Sequence, residues 1–388
     1  MLNKNIQSKL IIYYRLLTCT KIFFLRRIVV SVTNDLVTDQ RVYKVCKSLQ
    51  KLDFDILLIG RQFKRSPPIS RPYKTYRMRL LFNKGVLFYA EYNIRLFIKL
   101  LFTKKDLLLS NDLDTLLPNY LIGQLQQKKL VYDSHELFTE VPELIHRPKT
   151  QRVWLIIEKK ILPKLKNCYT VCQSIADYYN KKHGTSFKVI RNLPEKNSNN
   201  PSKFPFEIND KKIILYQGAI NKGRGLELMI DSMKHLNNCI FVIIGTGDIL
   251  NELKEKANLL NLDEKIKFLG RIEPHKLVNL TPLADLGLSI EQDLGLNYRY
   301  ALPNKIFDYI QSQVPILVSN LPEMKNIIDT FKVGEILNDR NSITVANQIE
   351  QMLNLEKAFF EKNLKIASEK LIWDTEIEKI KSIFNYIE

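Results

Sequence analysis

The chain has 388 residues but only five cysteines, two tryptophans and 13 glycines. An odd cysteine set (Cys19, Cys46, Cys168, Cys172 and Cys239) builds no disulfide framework and suits a reducing, cytoplasmic compartment. Cys168 and Cys172 flank a strand-like run with no second Cys/His pair nearby, so they read as buried small hydrophobes rather than metal ligands. The first 27 residues, with LIIYYRLLTCTKIFFLRR, are apolar and basic, but Arg15 and Lys21 interrupt them. That falls short of the roughly 18 to 20 apolar residues a membrane span needs. No small-residue cleavage site follows, which argues against a signal peptide. An interfacial helix or a simple extension before the first strand stays open.

Acidic residues are also short: 41 Asp and Glu against 59 Lys and Arg give a net charge of +18. Such an excess points to a polyanion, an anionic membrane surface or negatively charged small substrates. Yet no block of five Lys/Arg occurs, and cations do not cluster with stacking aromatics, so a nucleic-acid partner is not expected. Much of the excess reads as lysine spread over solvated helices.

The length suits two domains of roughly 150 to 200 residues. Short continuous apolar runs at 28–32, 55–59, 106–109, 130–132, 169–172 and 188–190 alternate with helical stretches. After the polar, proline-containing stretch 197–210 the rhythm restarts at 213–217, 240–244, 266–269, 286–290 and 316–319. This alternation predicts an α/β fold of two tandem Rossmann-like domains with parallel, doubly wound sheets facing across a cleft. The expected divisions are an N-terminal extension (1–27), a first domain (28–196), a linker (197–210), a second domain (211–365) and a C-terminal helix (366–388) docking back on the first domain. In such sheets ligands sit in the loops after strands.

The loop after the first strand, Thr33 to Arg41, lacks glycine, which excludes a dinucleotide fingerprint there. The first loop of the second domain, Gly218 to Gly225, is glycine-rich and carries Lys222 and Arg224 before a helix, the composition of a phosphate site. Gly245-Thr246-Gly247 is weaker evidence, since any tight strand-to-helix turn wants glycine. The stretch Ser289 to Asn320 predicts a strand, a polar loop and a helix capped by Asn304 that carries Lys305 and Asp308. Asp112 and Asp114 form a D-x-D able to hold a divalent metal against a diphosphate, but at a strand end they read as helix caps, so no metal is expected. His135 ends a strand between Asp133 and Glu136, neighbours that tune an imidazole for hydrogen bonding or proton exchange. His146, His183, His235 and His275 lack such a setting. Lys84 to Lys105 is aromatic, aliphatic and basic at helical spacing: a buried helix with lysine ends, or a surface for a membrane or a lipid-linked acceptor.

With its phosphate loop, A-D-L-G-L-S at 284–289 and P-N-K-I-F-D-Y-I-Q-S-Q-V-P-I-L-V-S at 303–319, the chain resembles the retaining GT-B glycosyltransferases of family 4, from about Ile28 onward. N-D-L-D-T-L-L-P-N and Y-D-S-H-E-L-F in the first domain look like the bacterial branch that builds surface polysaccharide. The resemblance implies a nucleotide-diphospho-sugar donor on the second domain, a glycan or lipid-linked hydroxyl acceptor on the first, retention of configuration and neither cofactor nor metal. By position, Gly218 and Arg224 fall in the donor diphosphate loop, with Ala219 where the family has a second cation and Lys305 as its replacement. Asp308 matches the ribose-binding carboxylate; Tyr300 stands where its partner would be, and Glu291 or Asp293 is expected to approach the sugar instead. His135 matches the acceptor-side histidine, and Arg271 and Ile272 fall at the nucleobase. His135, Glu291 and Lys305 are thus the expected catalytic residues, with a peripheral contact at the inner membrane face left open. A sugar-nucleotide epimerase of the same architecture is the rival reading.

Overall fold

The computed structural model of the chain describes residues 25–196, 202–355 and 358–385. Nearly all of the expected N-terminal extension and the start of the expected linker lie outside the described residues. In the first domain β1 (Arg27–Asp35), β2 (Asp55–Arg61), β3 (Lys74–Met78), β4 (Leu107–Asn111), β5 (Lys129–Ser134), β6 (Asn167–Thr170) and β7 (Lys188–Val189) pair in the order β3-β2-β1-β4-β5-β6-β7. In the second, β8 (Lys212–Gln217), β9 (Cys239–Ile244), β10 (Ile266–Gly270), β11 (Leu286–Ser289), β12 (Ile316–Val318) and β13 (Gly334–Ile336) pair as β10-β9-β8-β11-β12-β13. Every pairing is parallel. Helices on both faces leave the central strands no polar side, which is why they read as unbroken apolar runs: all six residues of β9 are buried. Strand order reverses between β1 and β4 and again between β8 and β11, and crevices for ligands form at such reversals.

The two strands that the apolar runs do not reveal are β3 and β13. Both are sheet edges. β3 reads Lys-Thr-Tyr-Arg-Met with only Met78 buried, and β13 has three half-buried residues. An edge strand needs little apolar surface, so its sequence carries little signal.

Toward the C-terminus three helices follow, Ser342–Asn354, Ala358–Lys370 and Trp373–Asn385. The first two bury Val345, Ile349, Phe360 and Leu364 in the second-domain core. The last crosses over: Trp373, Ile380, Ile383 and Phe384 join Val42, Val45 and Leu49 in the first-domain core. Trp373 Nε1 donates to Ser48 Oγ at 2.9 Å, and the Lys44 ammonium lies 4.8 Å above its ring. This helix therefore returns to the first domain, which ties the two domains together by a second crossing.

Between the sheets, the loop 292–303 of the second domain reaches the first. Asn297 Oδ1 accepts from Leu137 N and its Nδ2 donates to Glu136, each at 3.1 Å. Tyr300 O accepts from Cys172 Sγ, Glu323 Oε1 accepts from Ser174 N at 2.6 Å, and Asn192 donates to Asn304. Asn304 is spent on that bridge: the N-cap of its helix is Pro303, not Asn304, and has no side-chain capping bond.

Trp373→Ala should cost about 3 to 5 kcal/mol in the first domain's denaturant transition, with the second domain's transition little moved. Trp373→Phe, which loses the bond to Ser48 and part of the ring volume but keeps an aromatic in the core, should cost less than Trp373→Ala, about 1 to 3 kcal/mol. Equal shifts of both transitions would contradict the docking of this helix on one domain.

Candidate active site

The second-domain wall is built on a close approach of loops that only glycine permits. A Cβ on Gly245 would lie 1.8 Å from Gly218 O, and one on Gly225, at φ +81°, would lie 2.3 Å from Ile290 O. The loop holding Arg224 therefore packs directly against the loop after β11. There Glu291, fully buried, receives Lys305 Nζ at 2.8 Å, Ser289 Oγ at 2.9 Å and Arg224 Nη1 at 3.7 Å. Ser319 Oγ and the Arg340 guanidinium bond its backbone carbonyl. Burial pushes the Glu291 carboxyl up, but Lys305 and Arg224 outweigh it and hold the group below its ordinary value. For Lys305 burial dominates and lowers the ammonium, with Glu291 opposing. Its Nζ also lies 3.9 Å over the Tyr216 ring.

Asp308, one turn further along the Asn304–Gln311 helix, accepts from Gln217 Nε2 at 3.0 Å, and Gln217 in turn accepts from Thr281. Burial raises Asp308 to about 6, against the Gln217 bond and the Lys44 charge.

The first-domain wall centres on His135. Its Nδ1 lies 3.0 Å from Asp112 and its Nε2 3.2 Å from Asp133. Burial opposes the imidazolium, but the two carboxylates outweigh it and raise the group well above its ordinary value. Asp133 is buried and held below the usual carboxylate range by Arg41, which grips it with Nε at 3.0 Å and Nη2 at 2.8 Å. His135 is thus a fixed cation with both nitrogens occupied, not a free base. Asp112 and Asp114 point apart, toward His135 and Thr33 respectively, and Asp112 makes no capping bond. The capping role expected of this pair is not what its side chains perform.

The two walls border a cavity of about 660 Å³ lined by Asn34, Arg41, His135, Gly218, Arg224, Lys305 and Asp308 among others. Of the sequence-derived residues, His135, Gly218, Arg224, Lys305 and Asp308 converge on it. Glu291 lies behind Lys305 and outside the lining, and Asp293 is exposed and paired with Arg299 at 2.8 Å. Neither faces the cavity, because Glu291 is consumed by three charged or hydroxyl partners. Arg271 is exposed and Ile272 packs against the second-domain core; neither lines the cavity, whereas Leu277 does. Arg41, Asn192, Asn297 and Tyr298 were not singled out from the sequence. Arg41 left one signal, a cation in the first turn of a helix where the dipole disfavours it. The others sit in aperiodic loops and left none. His183, unremarkable in sequence, is buried 2.9 Å from Glu158, far from this cavity.

Compared with known proteins, the two-domain architecture is the GT-B fold. Sucrose-phosphate synthase from Thermosynechococcus elongatus superposes with a TM-score of 0.75 at 14% identity, covering 93% of this chain and 99% of that one. Anabaena HepE in complex with UDP-glucose gives 0.69 at 14%, covering 93% and 99%. Residues 198–370 match the family Glycosyl transferases group 1. An uncharacterized glycosyltransferase of Methanocaldococcus jannaschii is 24% identical over 173 residues, 42% of each chain, so the match spans less than half of that relative. Together these matches show the GT-B fold and place the glycosyl transferases group 1 match on residues 198–370.

Asp114 provides a pH test. Burial first, then Asp112, pushes it up to about 8, with the Thr33 hydroxyl opposing. The folded state therefore keeps a proton that the unfolded chain releases near pH 4, and stability falls as pH rises from about 4 through about 8. Asp114→Asn should flatten the Tm profile over that range and be the more stable form at its upper end; parallel profiles would refute the assignment.

Proposed function

We propose that the protein transfers a sugar from a nucleotide-diphospho-sugar donor to a hydroxyl of a glycan or lipid-linked acceptor, with retention of configuration and without a metal. One observation carries the reading: Arg224 and Lys305 converge with Asp308 on a single interdomain cavity. The anionic donor then lies on the second-domain wall, with its diphosphate at Arg224 and Lys305 and its ribose at Asp308. The UDP-glucose complex of HepE supports that class of donor. Arg224 lines the cavity with its side chain about a quarter exposed, and a guanidinium there can fork onto phosphate oxygens. Lys305, paired with Glu291 at 2.8 Å, places its ammonium beneath them.

As the bond from the anomeric carbon to the donor phosphate oxygen breaks, negative charge grows on the leaving diphosphate and positive charge on the sugar ring. Preorganised cations stabilise the former without reorganising. The acceptor oxygen bonds the anomeric carbon on the same face, and its proton passes to the departing phosphate oxygen. No protein base is then needed, which fits an imidazolium at His135: both its nitrogens are committed to Asp112 and Asp133, so it lends the wall a balanced charge and takes no proton.

Arg224→Ala and Lys305→Ala should each lower kcat/KM by about 10²- to 10³-fold in a donor-hydrolysis or transfer assay. Unchanged activity in both would sink the phosphate assignment. Chelator should leave transfer intact, and strict dependence on magnesium or manganese would overturn the metal-free mechanism. Conversion of the donor sugar with no acceptor present would favour an epimerase.

A further inference from the structure

The Gly85–Leu101 helix buries Phe88, Tyr92, Leu96 and Leu100 in the first domain. Its opposite face is apolar as well. Ile94 is 61% and Ile98 51% exposed, and Leu87 is exposed on the same stripe. The stripe continues at both ends, into Phe102 (82% exposed) and into the preceding loop through Leu81 (78%) and Phe82. A helix apolar all round is ordinarily covered on both sides, and scattered exposed apolar residues are normal only when single. Here six line a run on the order of 25 Å long.

The loop residues are held outward. Glu91, the one acidic residue between Arg79 and Lys105, spends its carboxylate on Leu81 N and Phe82 N at 2.9 Å each and on Arg95 at 2.7 Å. Lys84 and Lys104 are exposed at the two ends of the helix with no carboxylate partner among the described residues. Arg95 and Lys99 lie along one flank.

We propose that this face is where the protein rests on an anionic lipid bilayer. Apolar side chains in a row with cations along the rim match the boundary between acyl chains and anionic headgroups. The same charge argues against other covers. A second copy would set the cations against themselves, and residues 1–24, with Lys4, Lys9, Arg15 and Lys21 and no acid, carry the same sign. Among the described residues no helix is long and apolar enough to cross a membrane, so the contact is peripheral. Its orientation follows from Arg61 at the end of β2, whose Nη1 donates to Asn83 O at 3.2 Å. The Leu81–Asn83 loop therefore sits at the edge of the first sheet on which the cleft opens, so a docked bilayer borders the cleft. The inference stands on this surface and holds whichever reaction the cleft performs.

The test is cosedimentation of the full-length protein with phosphatidylcholine vesicles made with and without phosphatidylglycerol. Wild-type protein should bind the anionic vesicles and release in high salt. The Ile94→Glu/Ile98→Glu double variant should bind about a hundredfold more weakly, and Lys84→Glu and Lys104→Glu about fivefold each or more. All four positions are exposed, so an unchanged Tm and unchanged thermal shift with UDP verify the fold and keep this test separate from that of the site. Absence of wild-type binding would overturn the proposal, as would equal binding by the double variant, which would assign the contact to residues 1–24. A wild-type dimer that the double variant dissolves, without vesicle binding, would assign the face to a second copy and overturn it too.

Discussion

A carboxylate buried away from water is tolerable only with partners close at hand, because an unpaired charge inside a protein costs several kcal/mol. Glu291 is such a group, and the second-domain wall of the cleft is arranged by its needs. Lys305 comes from the start of the Asn304–Gln311 helix, Arg224 from the loop after β8, Ser319 from the end of β12 and Arg340 from the loop beyond β13. Four segments far apart in sequence are drawn to one residue and its carbonyl. Arg224 and Lys305, which line the cavity, are in this way held by contacts within the protein itself, and preorganisation of that kind is what makes charge stabilisation effective.

The first domain solves a similar problem with the signs reversed. His135 is a half-buried cation balanced by Asp112 and Asp133, and Arg41 balances the buried Asp133 in turn. The chain of alternating charges leaves each group of the first-domain wall paired, whereas on the second-domain wall the buried Arg224 Nε has no hydrogen-bond partner. Loop 292–303 joins the walls through Asn297, Tyr300 and Asn304, and the returning helix with Trp373 joins the domains from the far side. The cleft is therefore tied at its mouth and behind it.

What the chain dictates locally could be read directly. Continuous apolar runs mark strands covered on both faces, so the two parallel sheets emerge from periodicity alone, and the glycine at 225 marks a place where loops must touch. The motif at 303–319 locates Lys305 and Asp308 on the helix that lines the cavity. Only the tertiary structure decided what those residues meet. Glu291 was expected to face a sugar and instead lies behind Lys305, because burial and three partners outweigh exposure, and no sequence pattern records which side of a loop a carboxylate takes. Arg41 and Arg340 act through partners 92 and 49 residues away, separations over which periodicity carries no information. The Gly85–Leu101 helix shows the limit most plainly: its apolar residues are legible, but which of its two apolar faces the domain covers is settled only when the helix packs on the sheet.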